Sequence, residues 1–146
     1  MAKVAAKYDV PLILMHNRLN GKYTDFMADV LADLRQSVDI AKSAGVKEER
    51  LILDPGIGFA KTYQQNLETM RQIDQIIALG FPVLLGTSRK SLIGITLGLP
   101  VEERLEGTLA TIAIGIMKGV HIVRVHDVRA AKRVCQMTDA IVRGKG

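Results

Sequence analysis

The sequence predicts an α/β fold of parallel strands, the second half of a TIM (β/α)8 barrel with about four βα units, and three observations carry that prediction. Short apolar runs recur at intervals of roughly 30 to 40 residues with a helical pattern between them, the spacing that parallel crossovers demand. Each run ends in polar groups: Met15-His16-Asn17-Arg18, Asp54-Pro55-Gly56-Ile57-Gly58-Phe59, Gly86-Thr87-Ser88-Arg89-Lys90-Ser91 and Arg124-Val125-His126-Asp127. Polar groups at the carboxyl ends of several strands mark such a barrel. An open doubly wound sheet instead gathers its ligands at one switch point, and the Gly-rich fingerprint it would carry after the first strand is missing. Composition is the third observation. Aromatics are 4% and Trp is absent while 48% of residues are hydrophobic, so Ile, Leu, Val, Ala and Met must build the core, as in strands buried on both faces.

The stretch from Met1 to Asp9 reads as the last turns of a helix. Strands are predicted at Pro11 to Met15, Leu51 to Leu53, Val83 to Leu85 and His121 to Val125, each bounded by Gly, Pro or Asp. Met27, Val30, Leu31, Leu34, Val38 and Ala41 share one helical face, with Gly45 where a left-handed residue ends the helix. Leu67, Met70, Ile73, Ile76 and Ile77 predict one continuous helix ending at Gly80. Pro100 is expected to open the next, which carries Leu105, Leu109, Ile112 and Ile116 as far as Gly119. Asp127 is placed as the N-cap of the last helix, whose inner face would hold Ala131, Val134, Cys135, Thr138 and Ile141.

At 146 residues the chain has the length of one ordinary domain. Its net charge of +5 is dispersed over helices, with no basic block interleaved with aromatics, so no nucleic-acid partner is expected. The single cysteine, Cys135, lies among apolar residues at helical spacing; thiol chemistry is not expected and a reducing, cytoplasmic location fits. Thr108, Thr111, Gly115 and Lys118 interrupt the longest apolar run well short of the roughly 18 residues a spanning helix needs, so no membrane partner is expected.

Asp54 emerges from a strand into a turn that Pro55 fixes and Gly56 tightens. It either braces that turn or accepts paired N–H bonds from the edge of a guanidine-like heterocycle, and the loop extended by Gly58 and Phe59, which lets backbone approach a ligand, favours the second. Arg89 and Lys90 are adjacent cations that repel unless anions or carboxylates offset them. Lys90 is the better ligand contact, Ser91 offers a hydroxyl beside it, and Arg89 is free to brace the loop or a neighbouring subunit. Arg124 and His126, one residue apart, point to one side of an extended segment and suit an anionic, planar or phosphorylated ligand, although Arg124 could instead pair with Asp54. His16 is read as a hydrogen-bonded structural histidine, His121 as lying on the opposite, stability face, and Met15 as core or as an apolar wall for a flat ring. No Cys/His cluster or carboxylate pair suggests a zinc or calcium cage.

Taken together, Leu14-Met15-His16-Asn17-Arg18, Leu53-Asp54-Pro55-Gly56-Ile57-Gly58-Phe59, Gly86-Thr87-Ser88-Arg89-Lys90-Ser91 and Arg124-Val125-His126-Asp127-Val128 resemble dihydropteroate synthase in residues, order and spacing. The resemblance runs over essentially the whole chain and corresponds to the second half of that family's barrel. It implies that residues 1–146 form a partial pterin-binding domain whose N-terminal half is absent. It further implies a transferase of folate biosynthesis, a sulfonamide target, which condenses 6-hydroxymethyl-7,8-dihydropterin pyrophosphate with p-aminobenzoate and releases pyrophosphate. On this resemblance Asp54 accepts the pterin's amino and ring N–H groups, Lys90 meets its carbonyl side, Arg124 stacks on the ring, and Met15 and Gly86 line the pocket. Phe59, Lys90 and Ser91 border the p-aminobenzoate site, and Arg124 with His126 holds the departing pyrophosphate. Catalysis thus falls to Lys90, Arg124 and His126, with no metal ligand in the chain; the family's Mg2+ would take its Asn ligand from the absent half.

With half of the barrel absent, weak or no activity is expected of the isolated chain; the strand edges near Leu12 to Leu14 and Ile122 to Val125 are left unpaired, so association as a homodimer or with a complementary half-barrel is expected. A pterin-binding methyltransferase domain shares the barrel and the pterin-binding carboxylate but has no need of the cation cluster. An inert assembly module is the non-enzymatic alternative.

Overall fold

The computed structural model describes residues 1–144. Among them, helix α1 (Ala2–Tyr8) leads into β1 (Leu12–Met15), α2 (Phe26–Ser43), β2 (Leu51–Asp54), α3 (Tyr63–Arg71), α4 (Ile73–Ile77) and β3 (Leu84–Leu85). Then come α5 (Ser91–Leu97), α6 (Leu105–Met117), β4 (Ile122–Val123) and α7 (Val128–Arg143). Strands β1 and β2 run parallel, with Leu12 opposite Leu51 and Met15 opposite Asp54. Strands β3 and β4 are likewise parallel, with Leu84 opposite Ile122 and Leu85 opposite Val123. A parallel bridge between Leu53 and Val83 joins the two pairs, and the Leu53 amide donates to the Pro82 carbonyl at 2.8 Å. The carboxyl ends of all the strands therefore open on the same edge.

The alternation along β1 shows how each strand divides its side chains. Leu12 is buried and Leu14 packs on the core, whereas Ile13 and Met15 stand 48% and 36% exposed on the other face. Behind the strands, Val30 and Leu34 of α2, Ile73 and Ile76 of α4, and Leu51, Leu53 and Val83 are fully buried together. Each such aliphatic side chain contributes about 1.5 to 3 kcal/mol on leaving water. Local chemistry sets the helix starts: the Asp25 carboxylate accepts the Ala28 amide to open α2, and Thr62 with Gln65 forms a reciprocal capping box on α3. Gly45 follows α2 with φ +93°, as its place in the sequence predicts.

The structure corrects several element boundaries. The continuous helix expected from Leu67 to Ile77 is broken at Gln72, whose φ of −112° ends α3 and starts α4. Periodicity cannot register that break, because Met70 before it and Ile73 and Ile76 after it still enter one core. Pro100 does not open the helix of Leu105. It precedes a 3-10 turn, Val101–Glu103, and Arg104 then leaves helical geometry to donate to the Leu99 carbonyl at 3.1 Å and the Arg89 carbonyl at 2.9 Å. Helix α5, which no periodic pattern announced, buries Leu92 and Ile93 and ends at Gly98 with φ +67°. Helices α5 and α6 meet where a Cβ on Gly107 would lie 2.2 Å from the Ile93 side chain. In α7 Ala131 is buried but Ile141 is 72% exposed, so the inner face is shorter than expected; Cys135 is a half-buried free thiol.

Leu53 is fully buried and makes the contact that joins the strand pairs. Leu53→Ala should lower the unfolding free energy by about 2 to 5 kcal/mol in urea denaturation, and a loss well under about 1 kcal/mol would remove this junction from the cooperative core.

Candidate functional site

At the end of β2, Asp54 is 6% exposed and its Oδ1 accepts the Gly56 amide at 2.8 Å. Gly56 has φ +67°, and a Cβ there would stand 1.9 Å from the His16 carbonyl oxygen, so only glycine fits. The turn is thereby pressed onto the end of β1, where the His16 amide donates to the Asp54 carbonyl at 2.9 Å. Burial pushes the Asp54 carboxyl above the usual carboxylate range, while the Gly56 amide and the charges of Lys90, Arg124 and Lys61 pull it back.

The loop after β3 reaches across to this turn. The Lys90 ammonium donates to the Ile57 carbonyl and lies 4.8 Å from the centre of the Phe59 ring. Burial lowers the Lys90 pKa, and Asp54 opposes that shift. Gly58 makes room for the lysine stem, since a Cβ there would be 3.3 Å from Lys90 Cδ. Arg89, in a left-handed conformation with φ 57°, is fixed at several points. Its guanidinium grips Asp127 at 2.9 and 2.6 Å, its amide donates to Thr108 Oγ1 at 3.0 Å, and its carbonyl accepts from Arg104. Asp127 therefore occupies the N-cap position of α7 but turns its carboxylate to Arg89 instead of capping the helix.

Beyond β4, Arg124 lies against Gly86, where a Cβ would come within 3.4 Å of the guanidinium. The Ser88 hydroxyl lies 2.8 Å from His126 Nδ1. Gly86, Ser88, Lys90, Arg124, Val125 and His126 line a cavity of ≈ 220 Å³. The expected residues Gly86, Lys90, Arg124 and His126 thus meet in one depression, which Asp54 and Phe59 adjoin through Lys90. Ser91 is exposed at the first turn of α5, outside the lining, and Met15 stands beside Asp54 in register with its side chain partly exposed. Ser88, which lines the cavity, was not singled out by the sequence; the hydroxyl just before Arg89-Lys90 was its only signal.

Lys61 is the other unannounced member. Its ammonium donates to the carbonyls of Gly56 at 3.1 Å and Phe59 at 3.2 Å and to His16 Nδ1 at 2.8 Å, which uses all of its N–H groups. With Nδ1 accepting, the His16 Nε2–H donates to Asp33 at 3.1 Å, and Arg18 holds the same carboxylate at 2.9 and 3.0 Å. His16 is 3% exposed, so the expected structural histidine is found, and burial with the neighbouring Lys61 charge lowers its pKa. His121 Nδ1 accepts the Val83 amide at 3.2 Å at the opposite ends of the strands, away from the cavity. Among the described residues no group of at least 3 His, Cys, Asp or Glu side chains is arranged to hold a metal ion. No helix among them is long and apolar enough to cross a membrane.

Burial lowers the Lys61 pKa to about 8. An unfolded lysine keeps its proton up to roughly 10.4, so between these values the unfolded state binds more protons and folding stability rises with pH. Thermal melts across this window should show that rise, and Lys61→Met should flatten it; an unchanged slope in the variant would refute the assignment.

A family model described as pterin binding enzyme matches residues 1–126. The dihydropteroate synthase of Clostridium beijerinckii is 62% identical over 144 residues, covering 98% of this chain and 54% of that protein. Among solved structures, dihydropteroate synthase from Clostridium difficile in the presence of pteroic acid has a TM-score of 0.95 at 47% identity, over 98% of this chain and 55% of that one. The enzyme from Thermus thermophilus in complex with 4-aminobenzoate has a TM-score of 0.91 at 38% identity, over 97% of this chain and 58% of that one. The chain spans about half the length of the relatives it matches. With strand-end loops that gather Asp54, Lys90, Arg124 and His126, and a family match over most of its length, this chain belongs to the pterin binding enzyme family.

Proposed function

We propose that residues 1–146 are the second half of a dihydropteroate synthase barrel and carry its pterin and pyrophosphate contacts. The observation that carries this reading is the convergence of Lys90, Arg124 and His126 on one cavity beside the buried Asp54 carboxylate. Asp54 Oδ1 is committed to Gly56, so Oδ2 is the oxygen that receives the heterocycle's N–H groups. Lys90 faces the pterin carbonyl and Arg124 stacks on the ring, with Met15 and Gly86 at its border. As the bond from the pterin methylene carbon to the pyrophosphate oxygen breaks, its electrons go to the leaving group and Arg124 with His126 stabilises the growing charge. The p-aminobenzoate nitrogen then bonds to the cationic carbon and sheds a proton. Phe59, Lys90 and Ser91 border this second substrate, and the site would accept sulfonamides in its place.

The Mg2+ that the family resemblance implies finds no fitting donor set among the described residues. A cytoplasmic location is part of the proposal, as is association as a homodimer or with a complementary half-barrel. The exposed Ile13 and Ile122 on the outer strands favour such pairing, which concentration-independent sedimentation as a monomer would contradict.

Calorimetry on the chain should detect dihydropterin pyrophosphate in preference to methyltetrahydrofolate. The reverse preference would favour a methyltransferase domain, and no binding by the folded chain would favour an assembly module. Lys90→Ala should weaken pteroic acid and His126→Ala inorganic pyrophosphate, each by about 1.5 to 3 kcal/mol, the worth of a hydrogen bond to a charged group. Unchanged affinity in either variant would remove that residue from the site.

A further inference from the structure

Ser88 is 7% exposed, and its hydroxyl oxygen meets His126 twice. The His126 backbone amide donates to Oγ at 3.1 Å, and the ring Nδ1 lies 2.8 Å from the same oxygen. The amide bond makes Oγ an acceptor, so its remaining hydrogen needs an acceptor of its own, and Nδ1 is the partner in reach. With Nδ1 accepting, a neutral imidazole carries its hydrogen on Nε2. The neighbouring residues repeat the pairing, since Arg89 grips Asp127 through both guanidinium contacts. Two adjacent residues after β3 therefore hold two adjacent residues after β4, which fixes the ring in position, and the hydroxyl hydrogen directed at Nδ1 favours the Nε2–H tautomer.

We infer that Ser88 is a positioning residue that keeps the His126 ring as an Nε2–H donor toward the cavity it lines with Gly86, Lys90 and Arg124. This rests on the reading of the cavity as a pyrophosphate site. In the other tautomer an imidazole lone pair would face the phosphate oxygens and repel them. In the tautomer held by Ser88, His126 adds a hydrogen-bond donor beside the cations Lys90 and Arg124 and needs no charge of its own. The ligand chemistry it selects is a phosphate or pyrophosphate oxygen.

The chain has 3 histidines, so a sample labelled with 15N-histidine gives a spectrum that a His126→Asn variant assigns. At a pH where the ring is neutral, His126 should show an acceptor-type Nδ1 and a protonated Nε2. Ser88→Ala should let the tautomers mix and weaken inorganic pyrophosphate by about ten-fold, one lost charge-assisted hydrogen bond, while Ser88→Thr keeps the hydroxyl and most of the affinity. A wild-type ring protonated on Nδ1 overturns the proposal, as does a Ser88→Ala protein that retains both the tautomer and the affinity. If Ser88→Ala does not fold, the wild-type tautomer and Ser88→Thr decide the matter. A wild-type chain with the expected tautomer that ignores pyrophosphate defeats the functional reading while the Ser88 assignment of the tautomer stands.

Discussion

Asp54 has one oxygen committed to the Gly56 amide and almost no access to water, so its charge has to be balanced by groups from other segments. Lys90 arrives from the loop after β3, Arg124 from beyond β4 and Lys61 from the far side of the same turn. Burial disfavours ionisation of the carboxylate and of both lysines, while opposite charge favours it for each, so the ions sustain one another. This mutual dependence draws separate loops into one wall. It also leaves a fixed arrangement of donors and an acceptor that needs little reorganisation when a polar ligand arrives.

The loops are held from behind by the helices. Helix α2 contributes Asp33, which orients His16 and anchors Arg18, so that His16 can receive Lys61. Helix α6 contributes Thr108, whose hydroxyl accepts the Arg89 amide, while Arg104 just ahead of it takes the Arg89 carbonyl. Asp127 completes the clamp from the start of α7. The positive φ of Arg89 is held in place by partners to its amide, its carbonyl and its guanidinium Nε and Nη2. Lys90, the next residue, is thereby presented to the Ile57 carbonyl.

Much of this was legible because strand ends with Asp-Pro-Gly, Ser-Arg-Lys and Arg-Val-His turns carry their chemistry in short contiguous stretches. Asp54, Lys90, Arg124 and His126 could be named without coordinates, and the apolar face of α2 follows from spacing alone. Supports that join distant segments were not legible. Nothing near Lys61 announces that its ammonium meets a histidine 45 residues earlier, and the Ser88 contact with His126 spans 38. The break at Gln72 and the short α5 escaped for a different reason. Helical periodicity reports which face is buried, and a single non-helical residue or a two-turn helix barely disturbs that record. Asp127 had the right residue type for a cap, but a guanidinium made the stronger claim on its carboxylate.

The central claim is that a pterin edge meets Asp54 Oδ2 while Lys90 and Arg124 enclose the ring. A crystal structure of this chain with pteroic acid tests it most directly. The account predicts the heterocycle at the carboxyl ends of β2, β3 and β4, its N–H groups within hydrogen-bond distance of Asp54 and the Arg124 guanidinium over its face. A pteroic acid molecule bound elsewhere, or one that leaves Asp54 without a ligand hydrogen bond, would contradict it.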